Sequence, residues 1–491
     1  MTNRYQSKTK VPLLIAMDAE WGLGMRLDST ISFPYQMTLG AIKDKDLIYD
    51  MGAEIAREFK RLGAHVSFSP VVDVNNNPKN PVINYRAFGE GRQQVTNKGL
   101  AYMNGLQDNG VVAVAKHFPG HGDTDVDSHN ELPVIQHART RLDSVELHPF
   151  VNLIEHGVGG VMVAHMSIPS LDSTTNLPST LSRPIVEDLL KKELGYSGLI
   201  FTDALNMKGV TKHYPPGEVD VKALMAGNDV LVFTQDVPLA LEKIKEAIKK
   251  GALSQKEVDR RCRKVLAAKF WAGLSKYQPI ATERLVSDLN TVSAKMLNRK
   301  LTEASLTLLK NQNDLLPLKR LDTLRIASIS LGAEEITSFQ KMLSKYTTVD
   351  HFQIPREATA QAVSQFGEQL EGYNLIITGV HHPSGRGNSS QIFSEAVVGL
   401  VNRLSDYGSI FCVFRNAYTL DHFNAIDKAR ALLLTYQDTP DSEELAAQLV
   451  FGGVGAQGKL PVTINEIFQF GDGLELEGGL GLSIHFLKRW E

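Results

Sequence analysis

Three short stretches carry residue types that can attack an electrophile or move a proton. Asp203 follows the apolar run Gly198-Leu199-Ile200-Phe201-Thr202 and precedes Ala204-Leu205-Asn206-Met207. A carboxylate at such a strand end serves as nucleophile, base or metal ligand, or simply caps the next helix. Asp127 and His129 stand two residues apart in an irregular segment. There an aspartate can fold back to orient an imidazole and raise its basicity, which suits a general acid/base near neutral pH. The competing reading is an Asx-type turn beside an exposed histidine. Lys116 and His117 close the apolar run 111–115 and can hold hydroxyl or anionic groups of a ligand; alternatively Lys116 is a paired or snorkelling lysine. Pro119, Gly120 and Gly122 then forbid regular structure, and His121, Asp123 and Asp125 follow at once. His117, His121 and His129 with these aspartates have the right types for zinc. Intervening Gly and Pro spoil a helical His-x-x-x-His, so no metal or other cofactor is expected. No Gly-Lys-Ser/Thr follows the glycines, so they do not form a phosphate loop.

The elements that must position these residues alternate. Apolar strand candidates at 11–17, 64–69, 111–115, 159–164, 198–202 and 229–233 are separated by helical patterns such as 46–62 and 183–194. Such alternation predicts parallel βαβ units. Asp18, Asp73, Lys116, His165 and Asp203 all fall just past a strand's C-terminal end. In a (β/α) barrel that end is the ligand face, whereas a doubly wound sheet would gather its ligands at one switch point. The expected fold class is therefore α/β: a (β/α)8 TIM-type barrel over residues 1–274. Six strands against the eight of a closed barrel leave two alternatives, an N-terminally truncated barrel or an incomplete one closed in another way. Residues 275–300 read as a linker with helical pieces. Strand candidates at 324–330, 349–354, 375–380, 410–414 and 431–434 then predict a C-terminal α/β (αβα) sandwich over 301–491, flavodoxin-like or similar. The loop Pro383-Ser384-Gly385-Arg386-Gly387-Asn388 after the third of these either reaches a neighbouring site or is a solvent loop.

Composition excludes several classes. A net charge of −3 over 491 residues offers no broad basic surface, so neither nucleic acid nor an anionic membrane is an expected partner. No apolar run approaches the about 20 residues of a membrane span. Two distant cysteines, Cys262 and Cys412, make no disulfide framework. The polar, basic start has no hydrophobic signal core. That leaves a periplasmic or cell-envelope location if a signal segment was removed, and a cytoplasmic one otherwise.

Taken together the motifs are specific. Lys116-His117-Phe118-Pro119-Gly120-His121-Gly122, followed after four residues by Asp127-Ser128-His129, resembles the signature of glycoside hydrolase family 3, and more narrowly its β-N-acetylhexosaminidase (NagZ-like) branch. Ile15-Ala16-Met17-Asp18-Ala19-Glu20, Ser69-Pro70-Val71-Val72-Asp73-Val74, Tyr85-Arg86-Ala87-Phe88-Gly89-Glu90 and Ile200-Phe201-Thr202-Asp203-Ala204-Leu205-Asn206-Met207 resemble further blocks of that family. Leu308-Leu309-Lys310-Asn311 and Gly458-Lys459-Leu460-Pro461-Val462-Thr463 resemble its second domain. The resemblance implies retaining exo-hydrolysis of terminal β-N-acetylglucosamine, with peptidoglycan fragments (muropeptides) as the natural source. It implies Asp203 as nucleophile and His129 as acid/base with Asp127 as its partner. Asp18, Arg86, Lys116 and His117, with His165 beside them, would hold the sugar. Retaining glycosidases usually use two carboxylates; a neutral imidazole in place of the second avoids a like-charge pair. Two departures stand out. The family's Glu-Gly-Gly-Arg is replaced by Glu20-Trp21-Gly22-Leu23-Gly24-Met25-Arg26, and the two strand–helix units that normally precede Asp18 are absent. Two rivals remain: a phosphorylase, since a neutral acid/base tolerates an incoming phosphate, and a non-catalytic sugar-binding protein.

Overall fold

The structure is a computed structural model and describes residues 1–128, 130–381 and 393–479. His129 and the loop 383–388 lie outside the described residues. The chain forms two compact units, Met1–Gln36 with Lys45–Leu297, and Met37–Asp44 with Asn298–Glu491. Sequence pattern did not predict that the short segment Met37–Asp44 would join the second unit. Residues 275–300 hold the helix Leu285–Leu289 and the start of Val292–Ser305.

In the first unit, strands β1 (Ala16–Met17), β2 (Val66–Ser67), β3 (Val112–Phe118), β4 (Gly160–Val163), β5 (Leu199–Ala204) and β6 (Val230–Val232) form one parallel sheet in chain order. Sequential parallel order is that of a barrel wall. Here the wall is curled but open among the described residues, because β1 and β6 each pair with one neighbour. The α/β class of barrel type expected from sequence is thus what the structure has, with six wall strands among the described residues, the number counted from the sequence. β1 and β2 are also much shorter than the apolar runs predicted, while β3 and β5 extend further, through Phe118 and Ala204. Apolar patterning marks which residues are buried, whereas strand length is set by the ladder partner.

Period two fixes what the sheet presents to its inner side. Val66 and Phe68, Val112 and Val114, and Leu199 and Phe201 belong to one buried cluster with Leu14, and Phe68 meets Phe201 edge to face at 5.4 Å. Burying a side chain of this kind is worth about 1.5–3 kcal/mol. The next same-face positions after Leu14, Val114 and Phe201 are Asp18 (two steps on), Lys116 and Asp203. The polar pocket is therefore the pleat directly above an apolar floor. Outer helices complete the layer. Asp46–Leu62 packs against Arg92–Asp108, closely enough that Gly105 and Gly52 have backbone of the opposing helix within 3 Å of where a Cβ would stand.

The second unit holds β7 (Thr307–Asn311), β8 (Ile326–Leu331), β9 (Val349–Ile354), β10 (Leu375–Val380), β11 (Ile410–Val413) and β12 (Ala431–Leu434), in the order β7-β12-β11-β10-β8-β9. Five of these strands match the predicted ones, and their parallel order 2-1-3-4-5 is the flavodoxin-like one. β7 is antiparallel to β12 and was not predicted as a strand. β8, β10, β11 and β12 are buried along their whole length, as strands covered on both faces must be. No helix among the described residues is long and apolar enough to cross a membrane.

Candidate active site

One side of the pocket, on β1 to β3, is a closed set of charge pairs. Lys116 Nζ lies 2.9 Å from Asp18 Oδ1 and 2.8 Å from Glu20 Oε1. Arg86 grips Glu20 with two nitrogens, Nε at 2.9 Å and Nη2 at 2.7 Å. Arg26 Nη2 takes the other oxygen of Asp18 at 2.6 Å. The Glu20 and Lys116 side chains are buried, whereas Asp18 is 27% and Arg86 15% exposed, so the latter two face the open pocket. Burial alone would raise the Glu20 carboxyl; Arg86 and Lys116 outweigh it and hold the group far below the ordinary carboxylate range. Asp18 is lowered in the same way by Lys116, against its burial. Lys116 is raised, because the two carboxylates outweigh its own desolvation.

Next to this set, Asp73 organises the turn that follows β3. Fully buried, it accepts the backbone N–H of His117 and, at 2.7 Å, that of His121. Its Oδ2 lies 2.7 Å from His117 Nδ1, and Arg86 Nη2 lies 3.3 Å from His117 Nε2. A guanidinium only donates, so Nε2 is the acceptor and Nδ1 carries the proton that Asp73 receives. Burial raises Asp73, but the two histidines more than offset it and the carboxyl is lowered.

The other side of the pocket is sparser. Asp203 lies within β5, is partly open, and its Oδ1 accepts the N–H of Ala204 at 2.7 Å. Burial raises its carboxyl; His165, His117, the Ala204 N–H and Lys116 together lower it, so it is an anion at neutral pH. His165 is buried, and its Nε2 must donate to the Ala204 carbonyl at 3.1 Å, since a carbonyl only accepts. The imidazole thus braces the backbone of the residue that holds Asp203. His121 is buried 5.9 Å from His117, ring centre to ring centre, with its Nε2 unpartnered among the described residues. Burial and the neighbouring His117 push it down to about 4, so it is neutral in working conditions.

The signature loop is held from two directions. Asn80 donates to the carbonyls of His121 (2.8 Å) and Gly122 (3.1 Å), and its Oδ1 accepts the N–H groups of Val82 and Ile83. Gly122 lies so close to Val74 that a Cβ would come 1.9 Å from a carbonyl oxygen. Further on, the carbonyls of Ser128 and Glu131 rest over Gly209, 2.9 and 2.8 Å from where its Cβ would be. Gly209 lies in the helix Lys208–Thr211, six residues after Asp203, so the Asp127 loop and the Asp203 strand are packed together through it. The Asp127 carbonyl accepts the N–H groups of Asn130 and Glu131 in a turn.

Asp18, Arg86, Lys116, His117, His165 and Asp203, each predicted from sequence, thus line or brace one pocket at the C-terminal ends of the strands. Asp127 is on the loop that packs over Gly209. Glu20, Arg26, Asp73 and His121 were not predicted as site residues. Asp73 stood at a predicted strand end and Glu20 in the Asp-x-Glu block, but a strand-end reading gives no means of telling a carboxylate that faces a ligand from one that faces a lysine. Among the described residues, the His/Asp/Glu group with ligand spacing for a cation is not in this pocket; it lies in the second unit.

A polar pocket at the carboxyl ends of a curled parallel sheet defines an α/β protein of barrel type. The sequence model described as "Glycosyl hydrolase family 3 N terminal domain" matches residues 1–268. A solved family 3 β-N-acetylglucosaminidase from Paenibacillus sp. str. FPU-7 superposes with a TM-score of 0.78 at 31% identity, over 93% of this chain and 87% of that one. Beta-hexosaminidase A of Pseudoalteromonas piscicida is 28% identical over 94% of this chain and 84% of its own length. Beta-hexosaminidase LpqI of Mycobacterium tuberculosis is 34% identical over 51% of this chain and 66% of its own length. The chain belongs to glycoside hydrolase family 3, and it is an enzyme of the hydrolase class.

Proposed function

We propose that the protein is a retaining exo-β-N-acetylglucosaminidase acting on terminal N-acetylglucosamine, with muropeptides as the natural substrates. The observation that carries this reading is Asp203, a carboxylate kept ionised beside two histidines and Lys116, with one oxygen held by a backbone N–H and the other left to react. Asp203 attacks the anomeric carbon and forms a glycosyl ester. His129, oriented by Asp127, protonates the leaving oxygen and then takes a proton from the water that opens the ester. Asp18 and Arg86, both partly exposed members of the charge wall, bind sugar hydroxyls and the acetamido group. Lys116 and His117 hold those two in place more than they touch the sugar themselves, since both are nearly enclosed. The names of the Paenibacillus, Pseudoalteromonas and Mycobacterium relatives support the sugar assignment.

Release of chromophore from an aryl β-N-acetylglucosaminide tests this. Asp203→Ala should lower kcat by more than about 10³-fold. Added azide should partly restore turnover and yield the α-glycosyl azide, because a small anion can then enter where the carboxylate stood. His129→Ala should slow the step with an activated aryl leaving group less than Asp203→Ala does. A well-folded parent without turnover would overturn the reading in favour of sugar binding alone. A sugar 1-phosphate formed only with phosphate would assign the phosphorylase instead.

A further inference from the structure

The second unit carries a cluster that this chemistry does not use. In its sheet the strand order reverses between β8 and β10. In open α/β sheets ligands gather outside the carboxyl ends of strands at such a point. His381 follows β10 directly and is buried, stacked on Phe414 with 4.6 Å between ring centres and 21° between planes. Its Nδ1 lies 3.4 Å from Oδ1 of Asp438, on the turn between β12 and the helix Pro440–Val450. Its Nε2 faces Ser330 Oγ on β8 at 3.5 Å. Glu443, in the first turn of that helix, is buried too, and its Oε2 is fixed by the N–H of Phe339 at 2.8 Å. One ligand atom from each of His381, Asp438 and Glu443 lies within 4.8 Å of the other two. A second, independent observation is a buried donor beside the cluster that calls for an acceptor. Arg415, just past β11, is 7% exposed and near Asp438, and its Nη1 has no acceptor among the described residues.

We propose that His381, Asp438 and Glu443 form a site for a divalent transition cation, zinc by the chemistry of the donors, which ties the end of β10 to the start of the last helix. Two carboxylates in one buried place, with Arg415 as the cation nearby, leave one negative charge for a proton or a metal to balance. His381 Nδ1 and Asp438 Oδ1, 3.4 Å apart, match one edge of a tetrahedron around zinc, whose bonds to nitrogen and oxygen are about 2.0–2.2 Å. An imidazole among the donors selects zinc over magnesium or calcium, which take oxygen. Ser330 would orient the ring from behind, as outer partners of metal-bound histidines do. Three protein ligands leave a fourth position for water or an anion, on which the free N–H of Arg415 can act.

The test uses the full chain, stripped with a chelator and titrated with zinc chloride in a calorimeter, with cobalt(II) as a spectroscopic stand-in. The expected results are a single tight equivalent of zinc, a rise in the melting temperature with zinc, and visible cobalt absorption of a tetrahedral nitrogen–oxygen site. Asp438→Asn and His381→Gln should each weaken binding by about tenfold or more. If His381→Gln does not fold, Asp438→Asn, at a partly exposed position, still decides. Zinc bound equally by Asp438→Asn and parent, or no binding to the parent, would overturn the proposal and leave a proton-linked ion-pair cluster. Hydrolysis by Asp438→Asn should equal that of the parent, so this site and the proposed glycosidase reading stand or fall separately.

Discussion

The pocket wall and the outer helical layer treat a buried glutamate in opposite ways. Glu20 and Glu58 are both 0% exposed. Glu20 receives Arg86 twice and Lys116 once, and is held ionised. Glu58, on the helix Asp46–Leu62, has no partner for either oxygen among the described residues. Burial, with Glu54 nearby, pushes its carboxyl up to about 8. The same residue type at the same depth is thus an anion in one place and an acid in the other. What separates them is not burial but the assembly of cations, and that assembly is found at the candidate site.

The sharpest way to break this contrast is Glu20→Gln. It leaves Lys116 and Arg86 buried with one carboxylate fewer, and should cost about 3–5 kcal/mol of stability, read from urea midpoints. A loss under about 1 kcal/mol would mean that the wall relaxes freely and is not pre-organised. The corresponding change in the other region has the opposite sign. A carboxyl whose pKa is raised by folding stabilises below the unfolded value, about 4.3, and loses that stability as pH rises toward about 8. Glu58→Gln should therefore stabilise the protein by about 1–3 kcal/mol at about pH 8 and by little at about pH 5. For Glu20, whose pKa is lowered, the contribution is complete above about pH 4.3 and is lost only as acid takes pH below that. Equal effects of pH on both variants would erase the distinction. The smallest expected effect sharpens the contrast within the pocket. Gly209→Ala must push the Ser128 and Glu131 carbonyls away, so kcat for the aryl glycoside should fall by about tenfold, with stability changed by about 1 kcal/mol or less.

These regions also differ in how far they could be read from sequence. Asp18, Lys116 and Asp203 were legible because each ends an apolar run, and the period-two pleat carries the chain from floor to pocket at a fixed step. The five parallel strands of the second unit were legible for the same reason. The pairing of Lys116 with Glu20, the role of Asp73 beneath His117, and the isolation of Glu58 were not. Each depends on which distant segment arrives opposite, and one-dimensional periodicity does not encode that. β7 escaped because Thr307-Leu308-Leu309-Lys310-Asn311 is too short to show alternation, and its place is set by β12. The open six-stranded wall was foreshadowed by the strand count alone.

The charge wall has one more consequence. Asp18, Glu20 and Asp73 supply three negative charges, and Arg26, Arg86 and Lys116 supply three positive ones, all within direct contact of one another or of His117. The wall therefore behaves as a compact multipole whose field dies away within a few ångströms. It exerts no long-range pull on an ionic ligand. On the proposed reading an uncharged sugar would be captured by shape and short hydrogen bonds, and kcat/KM for a neutral glycoside should stay nearly flat as salt is added. Asp203 stands outside that cancellation, and in the proposed reaction it is the charge that would meet an electron-poor anomeric carbon.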